Sequence, residues 1–191
     1  MTLRKIAQIG HPVLRQVARP LSRDELLSPW GQQLIDDLIA TMHDADGAGL
    51  AAPQVYESVR VCVIEVGQNP RYPYKPKIPL TVLVNPVLTP LTTRTFSNFE
   101  GCLSVPNLRG RVDRFCELQV QAWDRHGQAL DFVTRGISAG TFQHEVDHLD
   151  ATLFIDRVRD PRSLCTWQEF ERQYREQFIK EVQGVVAEFG S

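Results

Sequence analysis

The stretch QHEVDHLD (143–150) largely determines how the rest of the chain is interpreted. His144 and His148 stand four residues apart, a spacing that puts both imidazoles on one face of a helix, one turn apart. Two neutral imidazoles can bind a divalent metal ion, and the carboxylate of the adjacent Glu145 can transfer protons. The stretch therefore indicates a helix that carries two ligands of a catalytic metal site.

The residues around this stretch favour a buried helix over 138–149. Phe142, Val146 and Leu149 recur at helical spacing and predict which face of the helix is buried, and both histidines border that face. The alternative is a plain helix with an exposed glutamate and two half-buried histidines. A helix that lines a dry site is what a metal centre needs, so the metal interpretation is favoured.

A catalytic metal site usually takes three protein ligands, so a third ligand must come from elsewhere. No histidine follows His148, and the sequence offers two kinds of candidate. In EGCLSVP (100–106), Gly101 allows a close turn and Cys102 can offer a thiolate. Downstream carboxylates are the other kind: Glu169, Glu171 and Glu176. The residues alone leave this choice open.

The order of predicted elements indicates an α+β fold. Ser28 and Pro29 resemble an N-cap and a first helical position, and the apolar spacing that follows predicts a helix ending near His43. Apolar, β-branched segments from residue 59 onward predict strands, including a hairpin around 125–127. A proline-rich surface loop is predicted over 67–79, and a last helix is predicted to start at 160–161. Strands in the middle and helices at both ends do not suit alternating βαβ units.

Bulk properties exclude several classes of protein. The 191 residues include 42% hydrophobic and 23% charged residues, with a net charge of −2, which is typical of a globular domain. No long basic run is present, so we expect no DNA partner. No apolar stretch approaches the roughly 20 residues of a membrane span, and no secretory signal is recognisable at the start. Four scattered cysteines suggest reduced thiols, so we expect a cytoplasmic protein with one domain over 1–191.

Three segments, in this order, resemble the signature motifs of peptide deformylases: GAGLAAPQ (47–54), EGCLS (100–104) and QHEVDHLD (143–150). LFIDR (153–157) adds to the resemblance, which extends from about residue 10 to residue 157. The resemblance implies antiparallel β-sheets around a central HExxH-bearing helix, with a C-terminal helix packed outside. It also implies a metal-dependent hydrolase that removes the formyl group from the N-terminal formyl-methionine of newly synthesised polypeptides and releases formate.

The resemblance assigns roles to particular residues. It implies Cys102, His144 and His148 as metal ligands, with Fe(II) as the expected ion and Ni(II), Co(II) or Zn(II) as substitutes. Glu145 is expected to take a proton from water and hand it to the leaving amine. The side-chain amide of Gln54 and the backbone N–H of Leu103 are expected to stabilise the oxyanion.

The expected substrate site lies beside these residues. Gly47 and Gly49 can bring their backbone within hydrogen-bonding distance of an extended peptide. By position in the motifs, the methionine pocket is expected to involve Ala48, Asn98, Ile137, Gly140, Thr141 and His144. Asn98 and Thr141 are more polar than the residues expected around a methionine side chain. Glu100 is expected to pair with Arg114 and to orient the Cys102 loop.

One residue departs from the family pattern. Where the family commonly has glycine two residues after the helix-ending leucine, this chain has Ala151, which lowers the stability of the fold by roughly 1 kcal/mol if that position needs a positive φ.

Two other interpretations stay open. The alternatives are a zinc peptidase with a downstream glutamate ligand and a non-catalytic metal-binding protein of the same fold. The C-terminal segment 160–191 is not basic, so we expect it to stabilise the domain and to make at most a weak ribosome contact. A bacterial cytoplasm is the expected location, and an organelle is also compatible with the family.

Overall fold

The computed structural model describes residues 2–67 and 75–190 of the chain. The strands are β1 (Gly49–Ala51), β2 (Val61–Val66), β3 (Ile78–Pro90), β4 (Thr95–Cys102), β5 (Val105–Phe115), β6 (Glu117–Trp123), β7 (Ala129–Arg135) and β8 (Cys165–Thr166). The helices are α1 (Arg23–Leu27), α2 (Pro29–Asp44), α3 (Gly136–Leu149), α4 (Trp167–Glu169) and α5 (Arg175–Phe189), with a π-helical turn at Phe170–Tyr174. Short 3-10 helices lie at Pro12–Arg15, Ala52–Val55, Phe154–Arg157 and Pro161–Ser163.

The strands form two antiparallel sheets, which confirms the predicted α+β class. The larger sheet has the order β1-β2-β3-β6-β7, so β1 lies at its edge, and the smaller has the order β4-β5-β8. β6 and β7 form the predicted hairpin, with Glu117 opposite Arg135 and Trp123 opposite Ala129. Within residues 2–67 and 75–190, no helix has the length and apolar character needed to cross a bilayer.

Helix α2 begins where the sequence predicts. The Ser28 side chain accepts a hydrogen bond from the backbone N–H of Gly31, and Pro29 occupies the first turn, where its missing N–H costs nothing. The apolar face buries Leu34 and Leu38 completely against the larger sheet. The same cluster contains Leu50, so this packing holds the edge strand β1 in place.

Helix α3 lies against strands of both sheets. Phe142, Val146 and Leu149 join the core with residues of β2, β3 and β6, as the apolar spacing predicts. Every residue of α3 except the half-buried His144 is buried. A helix enclosed in this way holds its side chains rigidly, which is a requirement for a precise metal centre.

The C-terminal helical segment covers the smaller sheet. Phe170, Phe178 and Val182 are almost fully buried in a cluster with Phe99 of β4, whose ring lies 5.7 Å from the ring of Phe178. Arg111 of β5 makes an ion pair with Glu181, at 2.8 Å between Nη1 and Oε2. The segment is thus part of the core, in agreement with the expectation that it stabilises the domain.

Two boundaries differ from the sequence predictions. The last helix does not start at 160–161, because Cys165 and Thr166 pair with Arg109 and Leu108 as strand β8. The proline-rich loop predicted over 67–79 falls mainly on 68–74, outside the described residues, and its last two residues instead begin β3. At residues 165–166, pairing with a strand that is distant in the chain overrides the local helical pattern.

Ala151 follows α3 in the left-handed region of backbone conformation, with φ 57°. An alanine Cβ is unfavourable there, whereas glycine carries no such penalty. We expect Ala151→Gly to raise the free energy of unfolding by about 1 kcal/mol and Tm by about 2–4 °C. Ala187→Gly, at an exposed helical position of α5, should instead lower Tm. A lower Tm for Ala151→Gly in thermal unfolding would mean that this backbone conformation carries no strain.

Candidate metal centre and active site

Three potential ligands converge from two distant segments. Cys102 lies at the end of β4, where the register with β5 shifts, and His144 and His148 lie one turn apart on α3. One ligand atom from each residue lies within 4.8 Å of the others. The Sγ atom of Cys102 is 3.3 Å from Nε2 of His148. One thiolate and two imidazoles in this arrangement can coordinate one divalent ion.

A buried carboxylate orients one of the two histidines. Oε2 of Glu100 is 2.8 Å from Nδ1 of His144, which leaves Nε2 of that ring for a metal ion. Arg114 donates two hydrogen bonds to Glu100, at 2.7 and 2.8 Å, and a third to Asp147, at 2.7 Å. Arg157 reaches the same Asp147 at 2.6 Å. The predicted pair of Glu100 and Arg114 is therefore part of a longer chain of charges.

The charges around the site fix its protonation states. Burial alone would raise the pKa of Glu100, but the charge and hydrogen bonds of Arg114 hold that pKa well below its usual range. Burial would also raise the pKa of the Cys102 thiol, yet the neighbouring imidazoles of His148 and His144 lower it to about 5. Cys102 is thus poised as a thiolate, the form that binds metal.

Glu145 points its carboxylate toward the edge strand β1. Its Oε2 atom is buried without a hydrogen-bond partner among the described residues, and burial raises the pKa of this carboxyl. A Cβ atom added at Gly49 would overlap the Glu145 carboxylate. Gly49 is therefore required for close packing of β1 on the acid, a role that the sequence does not reveal.

Gln54 has a side-chain orientation that two contacts determine. Its Oε1 accepts a hydrogen bond from the backbone N–H of Ala51 at 2.9 Å, so its Nε2 faces the other way. Nε2 donates to Oγ of Ser104 at 3.0 Å and lies 3.5 Å from Sγ of Cys102. The amide donor of Gln54 is thereby held beside the three potential ligands.

A cavity of about 50 Å³ opens beside these groups. Most of the predicted substrate and catalytic residues line it: Gly47, Ala48, Gly49, Gln54, Asn98, Glu100, Cys102, Leu103, Gly140, Thr141, His144 and Glu145. Ile137 is not among the residues that line this cavity, and its side chain is buried in the cluster with Phe170 and Phe178. Its carbonyl oxygen accepts a hydrogen bond from Oγ1 of Thr141, which does line the cavity, and its place in the methionine pocket stays a prediction.

Two cationic residues line the same cavity without having been predicted. Nζ of Lys75 lies 3.3 Å from Oγ1 of Thr141, and Arg109 donates to the carbonyl oxygen of Phe99 at 2.8 Å. The guanidinium of Arg109 also lies over the Phe170 ring, 4.0 Å from its centroid. Lys75 adjoins a proline-rich segment and Arg109 sits in a strand, so no spacing rule connects either residue to the motifs.

The carboxylates considered as a downstream ligand lie elsewhere. Glu169, Glu171 and Glu176 are exposed and form ion pairs with residues three or four positions further along the C-terminal helical segment, Arg172, Arg175 and Lys180 respectively. Among the described residues, Cys102, His144 and His148 are the group with metal-binding geometry. The structure therefore contradicts a peptidase site with a ligand from the C-terminal helices.

Comparison with known proteins agrees with this geometry. Residues 3–163 match the family model for polypeptide deformylase. Peptide deformylase 2 of Nostoc sp. is 42% identical over 166 residues, which cover 87% of this chain and 92% of that protein. Peptide deformylase 1 of Nitrosomonas europaea is 41% identical over 160 residues, which cover 84% of this chain and 90% of that protein.

Solved structures give the same result. The Met-Ala-Ser-bound class I type b peptide deformylase of Acinetobacter baumannii matches with a TM-score of 0.79 and 40% identity, covering 82% of this chain and 99% of that one. A peptide deformylase of Synechococcus elongatus in complex with actinonin matches with a TM-score of 0.71 and 32% identity, covering 97% of this chain and 85% of that one. On sequence and structure alike, the chain belongs to the peptide deformylase family of hydrolases.

Proposed function

We propose that this protein removes the formyl group from the N-terminal formyl-methionine of newly synthesised polypeptides and releases formate. The observation that carries the proposal is the convergence of Cys102, His144 and His148 beside Glu145, in a chain of this family. The Acinetobacter relative binds Met-Ala-Ser, which has the composition that remains when formyl-Met-Ala-Ser loses its formyl group. The substrate proposed here has the same chemistry.

The ligand set fits a divalent transition-metal ion. Glu100 holds Nδ1 of His144, and Nε2 of His148 lies 3.3 Å from Sγ of Cys102, so Nε2 is the atom available for a metal ion in both rings. A mixed thiolate and imidazole set suits Fe(II), Co(II), Ni(II) and Zn(II), and Fe(II) is the ion we propose from the family resemblance. The bound ion would supply Lewis acidity, which polarises the formyl carbonyl and lowers the pKa of water.

The chain's own residues supply the proton transfers and the oxyanion donors. Glu145 accepts a proton from the attacking water and donates it to the leaving amine, because its carboxylate lies beside the ligands and is not engaged in an ion pair among the described residues. Gln54 presents its amide N–H to the developing oxyanion, since Ala51 anchors the other end of that amide. We assign the second donor to the backbone N–H of Leu103, which lines the same cavity.

The edge strand β1 offers a binding surface for the peptide. β1 pairs with β2 on one side, with Gly49 opposite Ile64, and is the last strand of its sheet. Gly47 and Gly49 line the cavity on this edge. An extended substrate can therefore add to the sheet through main-chain hydrogen bonds, which read the backbone irrespective of sequence. This explains how one enzyme can process many different polypeptides.

Formate release tests the proposed activity directly. Protein purified without oxygen and loaded with Fe(II) or Ni(II) should release formate from formyl-Met-Ala-Ser. No release with either ion would contradict the function. Metal analysis of the anaerobically purified protein tests the choice of iron.

Cys102→Ala tests the proposed ligand set. Removing one of three ligands should abolish activity and lower metal occupancy sharply, because two imidazoles remain. Cys116→Ala is the matched control, since that buried cysteine lies in the hydrophobic cluster of the C-terminal helix. Full metal occupancy in Cys102→Ala would contradict the site as proposed.

We also propose a cellular location and a weak ribosome contact. We propose a bacterial cytoplasm, where formylated polypeptides are made. A weak ribosome contact is compatible with the C-terminal helix, but Glu181 and Glu188 of that helix already pair with Arg111 and Arg94. A contact driven by charge should appear as binding to purified ribosomes at low salt, and it should be lost at about 0.5 M salt because salt screens exposed charges.

Gly49→Ala should impair catalysis without changing metal binding. The added Cβ would displace the Glu145 carboxylate, and a shift of about 1 Å at a catalytic group can cost about 10²-fold in rate. We expect kcat/KM to fall by about that factor with unchanged metal content. Gly184→Ala, where nothing lies within 4 Å of the added atom, should retain full activity. Full activity of Gly49→Ala would mean that Glu145 does not act from its present position.

A further inference from the structure

The larger sheet ends in two edge strands that lie in different surroundings. β1 is the edge beside the potential metal ligands, and β7 is the last strand on the opposite side in the part of the chain that the structure describes. The outer side of an edge strand presents backbone N–H and C=O groups that can pair with another extended strand. β7 is therefore the edge of this sheet that the proposed reaction does not use.

The hydrogen bonds of the β6–β7 hairpin show which peptide groups of β7 point outward. The N–H of Gly136 donates to the carbonyl oxygen of Cys116 at 2.8 Å, and the N–H of Asp124 donates to that of Gln128 at 2.9 Å. These two contacts lie at the two ends of an uninterrupted register between the strands. Hydrogen-bonded and non-hydrogen-bonded pairs alternate along an antiparallel ladder. The peptide groups that face away from β6 are therefore those of residues 131, 133 and 135.

The side chains of the same three residues share one face of the sheet. Asp131, Val133 and Arg135 are all exposed, Val133 by 41%, whereas Leu130 and Phe132 pack against the core. Two opposite charges thus flank an exposed apolar residue, each two positions from it. Such a strand is complementary to a second copy of itself in antiparallel orientation, because the residue before the centre then meets the residue after it.

Charge selects one register among those that the outward peptide groups allow. Pairing centred on Val133 places Asp131 opposite Arg135 of the second copy, and the Val133 peptide groups of the two copies bond each other. Pairing centred on Asp131 would place two carboxylates directly opposite each other, which is destabilising. Pairing centred on Arg135 would do the same with two guanidinium groups. The register centred on Val133 is the one that forms ion pairs.

The contacts that both charged residues make within the chain are compatible with this pairing. Arg135 forms an ion pair with Glu117 of β6 at 2.7 Å, and Asp131 accepts hydrogen bonds from Gln119 and Gln121 at 2.8 and 3.1 Å. A guanidinium has several donors and a carboxylate several acceptor positions, so each group can serve partners on both sides. Across the pair, the charges would alternate from Glu117 to Arg135 to Asp131 of the second copy.

We propose that two copies of this chain associate through antiparallel pairing of their β7 strands, centred on Val133. The two five-stranded sheets then form one continuous sheet across a twofold axis, with the edge strands β1 at its two outer ends. Each copy contributes a single strand, and interfaces of such small area are weak. The expected Kd at low salt is therefore on the order of 10–100 µM.

Sedimentation equilibrium of the intact protein tests the association. The mean mass should rise from 21.7 kDa toward twice that value between about 1 and 300 µM protein at low salt. It should rise less at about 0.5 M salt, because salt screens exposed ion pairs. A mass that stays at that of one chain over the whole range would overturn the proposal.

Charge reversal tests the strand and its register. Asp131→Arg and Arg135→Asp should each weaken self-association by at least about tenfold, since each brings like charges opposite each other. Mixed in equal amounts, the two variants should associate with each other, because the arginines of one then lie opposite the aspartates of the other. Arg162→Asp, at an exposed position outside β7, is the matched control and should associate like the unaltered protein. Unchanged association of either single variant, or no gain on mixing, would overturn the proposal.

Val133→Pro tests the backbone contribution independently of charge. Proline has no N–H, and the N–H of residue 133 points away from β6, so the ladder within the hairpin keeps its hydrogen bonds. Val133→Pro should abolish the association, whereas Val133→Thr, which keeps the N–H and the branched side chain, should retain it. Circular dichroism checks the fold of each variant, and the mixing experiment still decides if Val133→Pro does not fold. Undiminished association of folded Val133→Pro would contradict pairing through β7.

Discussion

Glu145→Gln should lose about 10²- to 10⁴-fold in kcat while the protein keeps its full complement of metal. Glutamine has nearly the same shape as glutamate but cannot accept a proton from water. The carboxylate of Glu145 is buried beside the ligands, and its Oε2 atom makes no hydrogen bond among the described residues, so little of its present structural support depends on its charge. Formate release and metal content, measured on the same sample, distinguish a catalytic loss from a loss of the ion.

Glu117→Gln is a suitable control for this experiment. Glu117 pairs with Arg135 across the β6–β7 hairpin, neither residue lines the active-site cavity, and partly exposed pairs contribute little to stability. Its substitution should leave activity and metal content unchanged. Retention of more than about a tenth of wild-type turnover by Glu145→Gln would assign the proton transfer to another group.

Helix α3 could be predicted from sequence because its signals are local. Apolar residues at helical spacing, namely Phe142, Val146 and Leu149, predicted the buried face, and the structure confirms it. The predicted start at 138 was two residues late, because Gly136 and Ile137 already belong to α3. Such boundaries depend on how the preceding strand ends, which no periodicity records.

The third potential ligand could not be deduced from spacing alone. Cys102 lies 42 positions before His144 in the chain, and only its place in the EGCLS segment distinguishes it from Glu169 and other carboxylates. The structure brings its sulfur near both imidazoles through the sheet of β4 and β5. Long-range strand pairing of this kind leaves no local pattern, which is also why β8 was predicted as helix.

Lys75 and Arg109 illustrate a second limit of sequence interpretation. Both residues line the cavity, yet the sequence around each of them does not indicate such a position. Lysine and arginine are usually exposed, so the burial of Arg109 and the partial burial of Lys75 become visible only in three dimensions. The polar character of Asn98 and Thr141 can be noticed from the sequence, whereas the contact of Lys75 with Thr141 is visible only in the structure.

Arg114→Met should cost about 3–5 kcal/mol of stability and weaken metal binding by about 10- to 100-fold. Arg114 is 2% exposed and is held between Glu100 and Asp147, so its removal leaves two buried carboxylates with less compensation. Glu100 would then lose the group that orients it toward His144. Urea unfolding measures the stability, and competition with a chelator measures the affinity for metal.

Arg111→Met, on the same strand, is the matched control for this variant. Its ion pair with Glu181 is about one-third exposed, so its loss should cost no more than about 1 kcal/mol and leave metal affinity unchanged. Adding Asp147→Asn to Arg114→Met should recover part of the stability, because one uncompensated charge is removed, but Glu100 would still lack its partner and the metal affinity should stay low. Equal unfolding free energies for Arg114→Met and Arg111→Met would mean that the buried chain of charges neither stabilises the fold nor holds the histidine in place.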